Sequence, residues 1–380
     1  MRRILFPLLV GLLVLGVVLG AFAGYLITSN PPPRQDSPGW LRVKSMPGAR
    51  GEFAAGVVEA QPGGPRLCPG TPCPERLVYA VGGLSGPLAK VLDRVQVFDP
   101  ANAWRDGPPL PEARHHLAAA GLGDTLYVTG GTPDKRGLEP HANVWVLRPG
   151  RTSFERLADM PEGRVAHAMV AVNKKLYVVA GRGPSSSVLI FDPAKGWSKG
   201  AAMPGPRDHV AAVAVQNKIY VIGGRDSSVS RRVDIYDTAT DSWSEGVPLP
   251  DAISAGAAAA LDDGLIHLVG GEDPRMLGGR VYDLHLAFDP IGSVWLEGPK
   301  PLLAVHGGAY ADVTGKLLVI GGSRRQGTFS IFGWTGLVQV FDPQQIGGGL
   351  SPTPSPNPTP SPVPTGPAPT GPTPTGGLPG

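Results

Sequence analysis

Three sets of side chains could carry chemistry. Arginine stands three residues beyond a proline at Arg50, Arg114, Arg164 and Arg207, and Ile253 and Ala304 take the same place later in the chain. Arg182, Arg225, Glu272 and Arg324 stand just after paired glycines, or after Ala180-Gly181 for Arg182. A guanidinium binds carboxylates and phosphates through paired hydrogen bonds, so these arginines suit an anionic ligand. His116, His209 and His306 each lie five residues beyond a proline, and three imidazoles around one point could hold a metal ion. In "VGGEDPRMLGGR", Glu272 with Arg275 or Arg280 offers a general acid or base beside a cation.

The elements that must position these residues repeat along the chain. Glycine doublets occur at Gly82-Gly83, Gly130-Gly131, Gly223-Gly224, Gly270-Gly271 and Gly321-Gly322, with Ala180-Gly181 as a weakened copy. Each follows a β-rich run such as "KIYVIGG". A second strand comes after it, as in "VQVFDP", "VLIFDP" and "VDIYDT". Then comes an aromatic residue, Trp104, Phe154, Trp197, Trp243 or Trp295, and then a proline at 111, 161, 204, 250 or 301. A strand of small residues, such as "AGAAAAL", completes the unit. A period in the high forties, four strands per period and a glycine doublet ending the second strand define the unit.

The Gly-Gly doublet, the strand ending near Asp-Pro and the Trp about six residues beyond it resemble the kelch repeat, in six copies from Gly39 to Pro343. The resemblance implies an all-β, six-bladed kelch β-propeller with one four-stranded blade per repeat. Small residues fit the crowded axis, the doublet lets the chain turn with positive φ, and the tryptophan covers the face between blades. The last "VQVFDP" has no tryptophan after it, and Trp40 has no unit before it. The segment "WLRVKSM" is therefore expected to supply the outer strand of the sixth blade and close the ring, as kelch propellers do by sharing a blade between termini.

The remaining segments bound the setting. Residues 1–3 carry two arginines, and 4–27 form an apolar run long enough to span a bilayer as a retained anchor or a signal peptide. A linker at 28–38 precedes a propeller over 39–346, and a Pro/Thr/Ser/Gly-rich tail at 347–380 is expected to be disordered. The propeller is thus expected outside the cytoplasm, held to the membrane, or secreted if the signal is cleaved. An insertion in the first unit carries the only cysteines, Cys68 and Cys73, which an exported chain is expected to join as a disulfide. A net charge of +3 over 380 residues gives no support for a nucleic-acid partner.

Turns after the second and fourth strands of a blade leave on the same end, so the post-proline and post-doublet residues share one face. Regular arginines could be framework groups bonded to neighbouring backbone. Their loss at Ile253 and Ala304 favours a ligand face made by Arg50, Arg114, Arg164, Arg207, Arg182, Arg225, Glu272 and Arg324. Innermost side chains mostly face neighbouring blades and His167 falls one residue late, so the histidines are read as packing groups, with no metal and no cofactor. A galactose-oxidase-like copper centre is disfavoured because both cysteines sit in one insertion. Similarity in kind to periplasmic N-acetylneuraminate epimerases, which use a Glu and an Arg after a Gly doublet, makes a sugar mutarotase at Glu272, Arg275 and Arg280 the alternative. The leading expectation is a binding protein for an anionic carbohydrate or an acidic protein surface.

Overall fold

The computed structural model describes residues 15–18, 20–21, 30–59, 76–99, 103–135, 139–347 and 350–353. Six antiparallel sheets form six blades. Their innermost strands are Ala54–Glu59, Ala118–Leu122, Ala168–Val172, Ala211–Val215, Ala257–Ala260 and Ala309–Val313. Each touches the next, and the sixth touches the first. Alanine dominates these strands because only short side chains fit where six strands converge. Buried examples are Ala118, Ala211, Ala257 and Ala309. The inner strands surround a channel of about 520 Å³.

Apolar cores lie between blades. One cluster joins Tyr220 and Leu249 to Phe288 and Trp295, across the fourth and fifth blades. Another joins Trp40 and Phe341 to Val269 and Leu302, across the fifth and sixth. The regular spacing of the aromatics has a clear cause. Each tryptophan rests on an aromatic of the next strand inward: Phe98–Trp104, Phe191–Trp197 and Phe288–Trp295 all have ring centroids 5.0 Å apart. Its indole N–H then donates to a backbone carbonyl of the preceding blade. Trp104 reaches Lys44 at 2.9 Å, Trp197 reaches Ala158 at 3.2 Å, Trp243 reaches Ala201 at 3.2 Å, and Trp295 reaches Val247 at 3.1 Å. Phe154 has no such donor, so the second blade lacks this latch.

The opening strand behaves as its sequence predicts. Trp40–Val43 pairs with Val338–Phe341 as the outer strand of the sixth blade, with Trp40 opposite Phe341. The Trp40 indole donates to Pro299 of the fifth blade at 2.7 Å, repeating the latch. The stretch expected to be a plain linker is docked as well. Arg34 pairs with Asp283, its amide donates to Leu302 at 2.6 Å, and Ser37 donates to Lys300 at 2.6 Å.

The tail departs from expectation at its start. Ser351–Pro352 pairs with the outer strand Val294–Glu297 of the fifth blade, and the Thr353 amide donates to Trp295 at 3.0 Å. An exposed sheet edge offers unpaired backbone groups, and a short extended peptide satisfies some of them. Cys68, Cys73 and the rest of the tail lie outside the described residues. Most of the apolar 4–27 run does too. Residues 15–18 and 20–21 are helical, and among the described residues no helix is long and apolar enough to cross a membrane.

Candidate functional site at the glycine-doublet end

The end of the channel is closed by backbone. Glu52, His116, Ala166, His209, Ala255 and Gly307, one from each blade, all have φ between 52° and 57°. The amide of each donates to the carbonyl of the one before it: His116 to Glu52 at 2.9 Å, Ala166 to His116 at 2.8 Å, His209 to Ala166 at 3.0 Å. Ala255 to His209 at 2.7 Å, Gly307 to Ala255 at 3.2 Å and Glu52 to Gly307 at 2.7 Å complete the circle. Positive φ turns each amide toward the neighbouring blade, which a β conformation would not do. The strain of holding non-glycine residues there is offset by six hydrogen bonds.

The glycine doublets hold the next layer. The second glycine of each doublet donates to the following blade, from Gly83 to Arg114 at 2.8 Å through to Gly322 to Arg50 at 2.9 Å. A side chain on Gly270 would come within 2.2 Å of the Val305 carbonyl, which explains the requirement for glycine there. The residue after the doublet then bridges to the residue before the ring. Arg225 is held beside Asp208, Glu272 beside Ser254 and Ser323 beside His306.

These contacts correct the register of the sixth blade. Gly271 donates to Val305, so Val305 and not Ala304 is the counterpart of the arginines. Likewise Gly307, and not His306, is the counterpart of His116 and His209. The sixth blade has one extra residue after its proline, where Leu302 and Leu303 are buried.

Arg50, Arg114, Arg164 and Arg207 do not form an exposed ligand face. They are 1%, 1%, 1% and 5% exposed. Arg50 donates to the carbonyls of Gly82, Ala80 and Arg94 at 3.0 to 3.1 Å. Arg207 donates to Gly223 and Val221 and pairs with buried Asp234 at 2.6 Å. Arg114 pairs with Glu112 at 2.7 Å and Arg164 with Glu162 at 2.6 Å. Burial pushes the Arg50 guanidinium down to about 10, with Arg94 adding to the effect. Burial likewise lowers Arg114 and Arg207 from the ordinary arginine value. Long cations with several donors are well suited to collecting carbonyls that the turns leave without partners.

The post-doublet residues converge instead. Arg225 donates to Glu272 at 2.9 Å and to Nε2 of His209 at 3.0 Å, and lies 3.4 Å from Asp208. Arg182 pairs with Asp208 at 3.0 Å while staying 60% exposed at its side chain. Glu272 is therefore a direct neighbour of Arg225. It also accepts from the Gly327 amide at 2.7 Å and lies 3.5 Å from His306. Burial opposes ionisation of Asp208, but the hydrogen bond from His209 and the charges of Arg225 and Arg182 prevail and hold it at about 2. Arg275 pairs with Asp273 rather than with Glu272, and Arg280 lies over the Tyr282 ring at 4.6 Å. Arg324 is half-buried, and burial lowers it, with Arg325 adding to the effect.

The histidines sit differently from their expected places. His116 and His209 belong to the axial ring and meet edge to face with centroids 5.0 Å apart, rather than packing into neighbouring blades. Glu52 joins them, with Oε2 3.2 Å from Nε2 of His116. His306 accompanies Ser330 and the Arg325 carbonyl. His167, one residue past the ring, contacts Thr129 at 2.9 Å. Glu52 and Asp208 were not singled out by the sequence reading. Glu52 stands five residues beyond Pro47, in register with His116 and His209, and that alignment was the available signal.

Comparison with known proteins agrees with this architecture. The family model described as the KLHDC2/KLHL20/DRC7 Kelch-repeats domain matches residues 74–251 and 115–322. Kelch-like protein 24 of Rattus norvegicus is 32% identical over 259 residues, covering 66% of this chain and 40% of its own. Beta-scruin of Limulus polyphemus is 33% identical over 223 residues, covering 55% of this chain and 19% of its own. The chain spans less than half the length of these curated relatives. The solved structure titled "Structure of YjhT" superposes with a TM-score of 0.62 at 18% identity, covering 77% of this chain and 95% of that one, which shows a shared fold. Six kelch units, the closing strand at Trp40 and the family match together make this chain a member of the kelch-repeat family.

Proposed function

We propose that the propeller is a binding module that takes an acidic protein segment at its glycine-doublet end. The observation that carries this reading is the relief of that end. Hairpins at 84–91 and 272–281 and a 3₁₀ turn, Gly327–Phe332, rise directly after three doublets, over a floor closed by the axial ring. Their tips present large apolar side chains, with Leu88 82%, Met276 69% and Leu277 88% exposed. Arg275 and Arg280 belong to the second hairpin and Arg182 follows the weakened doublet at the same end, with side chains 60% to 72% exposed. Apolar anchors set among arginines are the usual composition of a protein-binding surface.

The mutarotase alternative fits this geometry less well. Glu272 is 2% exposed and engaged by Arg225, Gly327 and His306, whereas a general base needs a path to substrate. Attachment to a membrane outside the cytoplasm remains part of the proposal. It is supported by the apolar 4–27 run behind Arg2 and Arg3. Protease added to intact cells is expected to remove the propeller, and full protection would reverse the topology.

A displayed peptide library tests the main reading. Acidic peptides are expected to be enriched, and Met276→Ser with Arg280→Ala is expected to weaken their binding more than tenfold without lowering Tm. Peptides that bind this double variant unchanged would place the site elsewhere.

A further inference from the structure

A chain of hydrogen bonds fixes which nitrogen of His116 carries its proton. Nε2 of His115 lies 3.0 Å from the Asp134 carbonyl, and a carbonyl only accepts, so that nitrogen is the donor. In neutral His115, Nδ1 is then a bare acceptor. It lies 2.5 Å from Nδ1 of His116, which must therefore carry hydrogen. The lone pair of His116 is left on Nε2, and Nε2 faces the Glu52 carboxylate at 3.2 Å. Two acceptors thus face one another at hydrogen-bond distance, and the contact calls for a cation between them.

His209 supplies a third donor. Its Nδ1 lies 2.5 Å from the Asp208 carboxylate, which orients the ring with Nδ1–H donating and Nε2 as the lone pair. Metal-binding histidines are held in this way, with a carboxylate behind the ring. Ligand atoms of Glu52, His116 and His209 all lie within 4.8 Å of one another. They line a cavity of about 100 Å³, room for an ion and a few waters. A further histidine borders the same cavity. His167 also lines this cavity, is 8% exposed, and its buried Nδ1 has no hydrogen-bond partner.

We propose that Glu52, His116 and His209 bind one divalent transition-metal ion of the zinc class at the closed end of the channel. Two imidazoles and one carboxylate favour zinc over calcium or magnesium, and they leave a fourth position open. Arg225 is the competitor: it now donates to Nε2 of His209, and a metal ion would take that lone pair. Arg225 would keep Glu272 at 2.9 Å and Asp208 at 3.4 Å. The axial ring explains how three residues so far apart in sequence meet. It sets their Cα atoms side by side around one axis, and three of the six ring positions carry ligand side chains.

The test uses the tag-free full chain in mild detergent, stripped with chelator and titrated with zinc chloride by calorimetry. One zinc ion per chain is expected, together with a rise in Tm. Glu52→Gln and His116→Asn are each expected to weaken binding at least tenfold. A Cys68→Ser/Cys73→Ser variant is expected to keep the native isotherm. If a histidine variant does not fold, cobalt(II) added to the native chain is expected to give a visible absorption band that zinc displaces and Glu52→Gln abolishes. Absence of saturable binding by the native chain would overturn the proposal. So would binding that survives Glu52→Gln, or that is lost with the cysteines.

Discussion

Trp40 lies across the strand pair from Phe341, with ring centroids 5.3 Å apart, so the two ends of the propeller sequence meet in one blade. The contact is apolar and nearly complete, since Trp40 is 4% and Phe341 0% exposed. Trp40→Ala is expected to cost about 4 kcal/mol, the range for a large buried aromatic. Urea denaturation of the two proteins measures it. A loss below about 1 kcal/mol would mean that the outer strand does not close the ring.

The buried arginines separate framework from surface. Arg207→Ala leaves Asp234 buried without its inner partner and strips donors from Gly223 and Val221, and a loss of about 3 kcal/mol is expected. Arg182→Ala removes an exposed cation and is expected to change stability by less than about 0.5 kcal/mol. Equal effects in thermal melts would contradict this division.

Glycine is required at some positive-φ positions by crowding and at others only by backbone conformation. Gly270 and Gly123 have φ of 64° and 63°. A side chain on Gly270 would strike the Val305 carbonyl, whereas Gly123 has nothing within 4 Å. Gly270→Ala is expected to destabilise by about 3 kcal/mol and Gly123→Ala by about 1 kcal/mol or less. Similar losses would show that the doublet does not pack against the next blade as described.

Stability should fall in mild acid through His285. Burial, with His267 nearby, pushes His285 down to about 3, while its hydrogen bond to Pro299 opposes the shift. The unfolded chain takes up this proton near pH 6.5 and the folded chain does not. The unfolded state therefore binds more protons below pH 6.5, and stability drops as pH falls, by about 1.4 kcal/mol per pH unit for each such histidine. Asp208 and Glu162, both held at about 2, lose their contribution only as pH falls through their unfolded values of 3.8 and 4.5, so the upper part of the window, about pH 5.5 to 6.5, reports mainly the histidines. His285→Gln is expected to flatten the slope by that amount in urea titrations, and parallel slopes would contradict it.

The blade architecture was legible because its cause is local. Doublets, tryptophans and prolines keep a fixed spacing, since each serves one turn or one interface, and an unpaired Trp40 implied its partner strand. The candidate site was less legible. Repetition suggested a face of arginines, yet regular spacing reflects a shared framework task, and Arg50 and Arg207 bond to their own blades. The missing members at Ile253 and Val305 reflect apolar packing in their place, with both buried. One extra residue at Leu302-Leu303 shifted His306 out of register, which composition does not reveal. The meeting of Glu52, His116 and His209 depends on closure of the ring through space, and no local pattern records it.

Hydrogen–deuterium exchange with an enriched acidic peptide bound tests the binding end most directly. Protection is expected in 84–91, 272–281 and the loop carrying Arg182, the segments that rise around the closed ring. Protection confined to the turns that join the first and second strands of the blades, at the other mouth of the channel, would contradict the account.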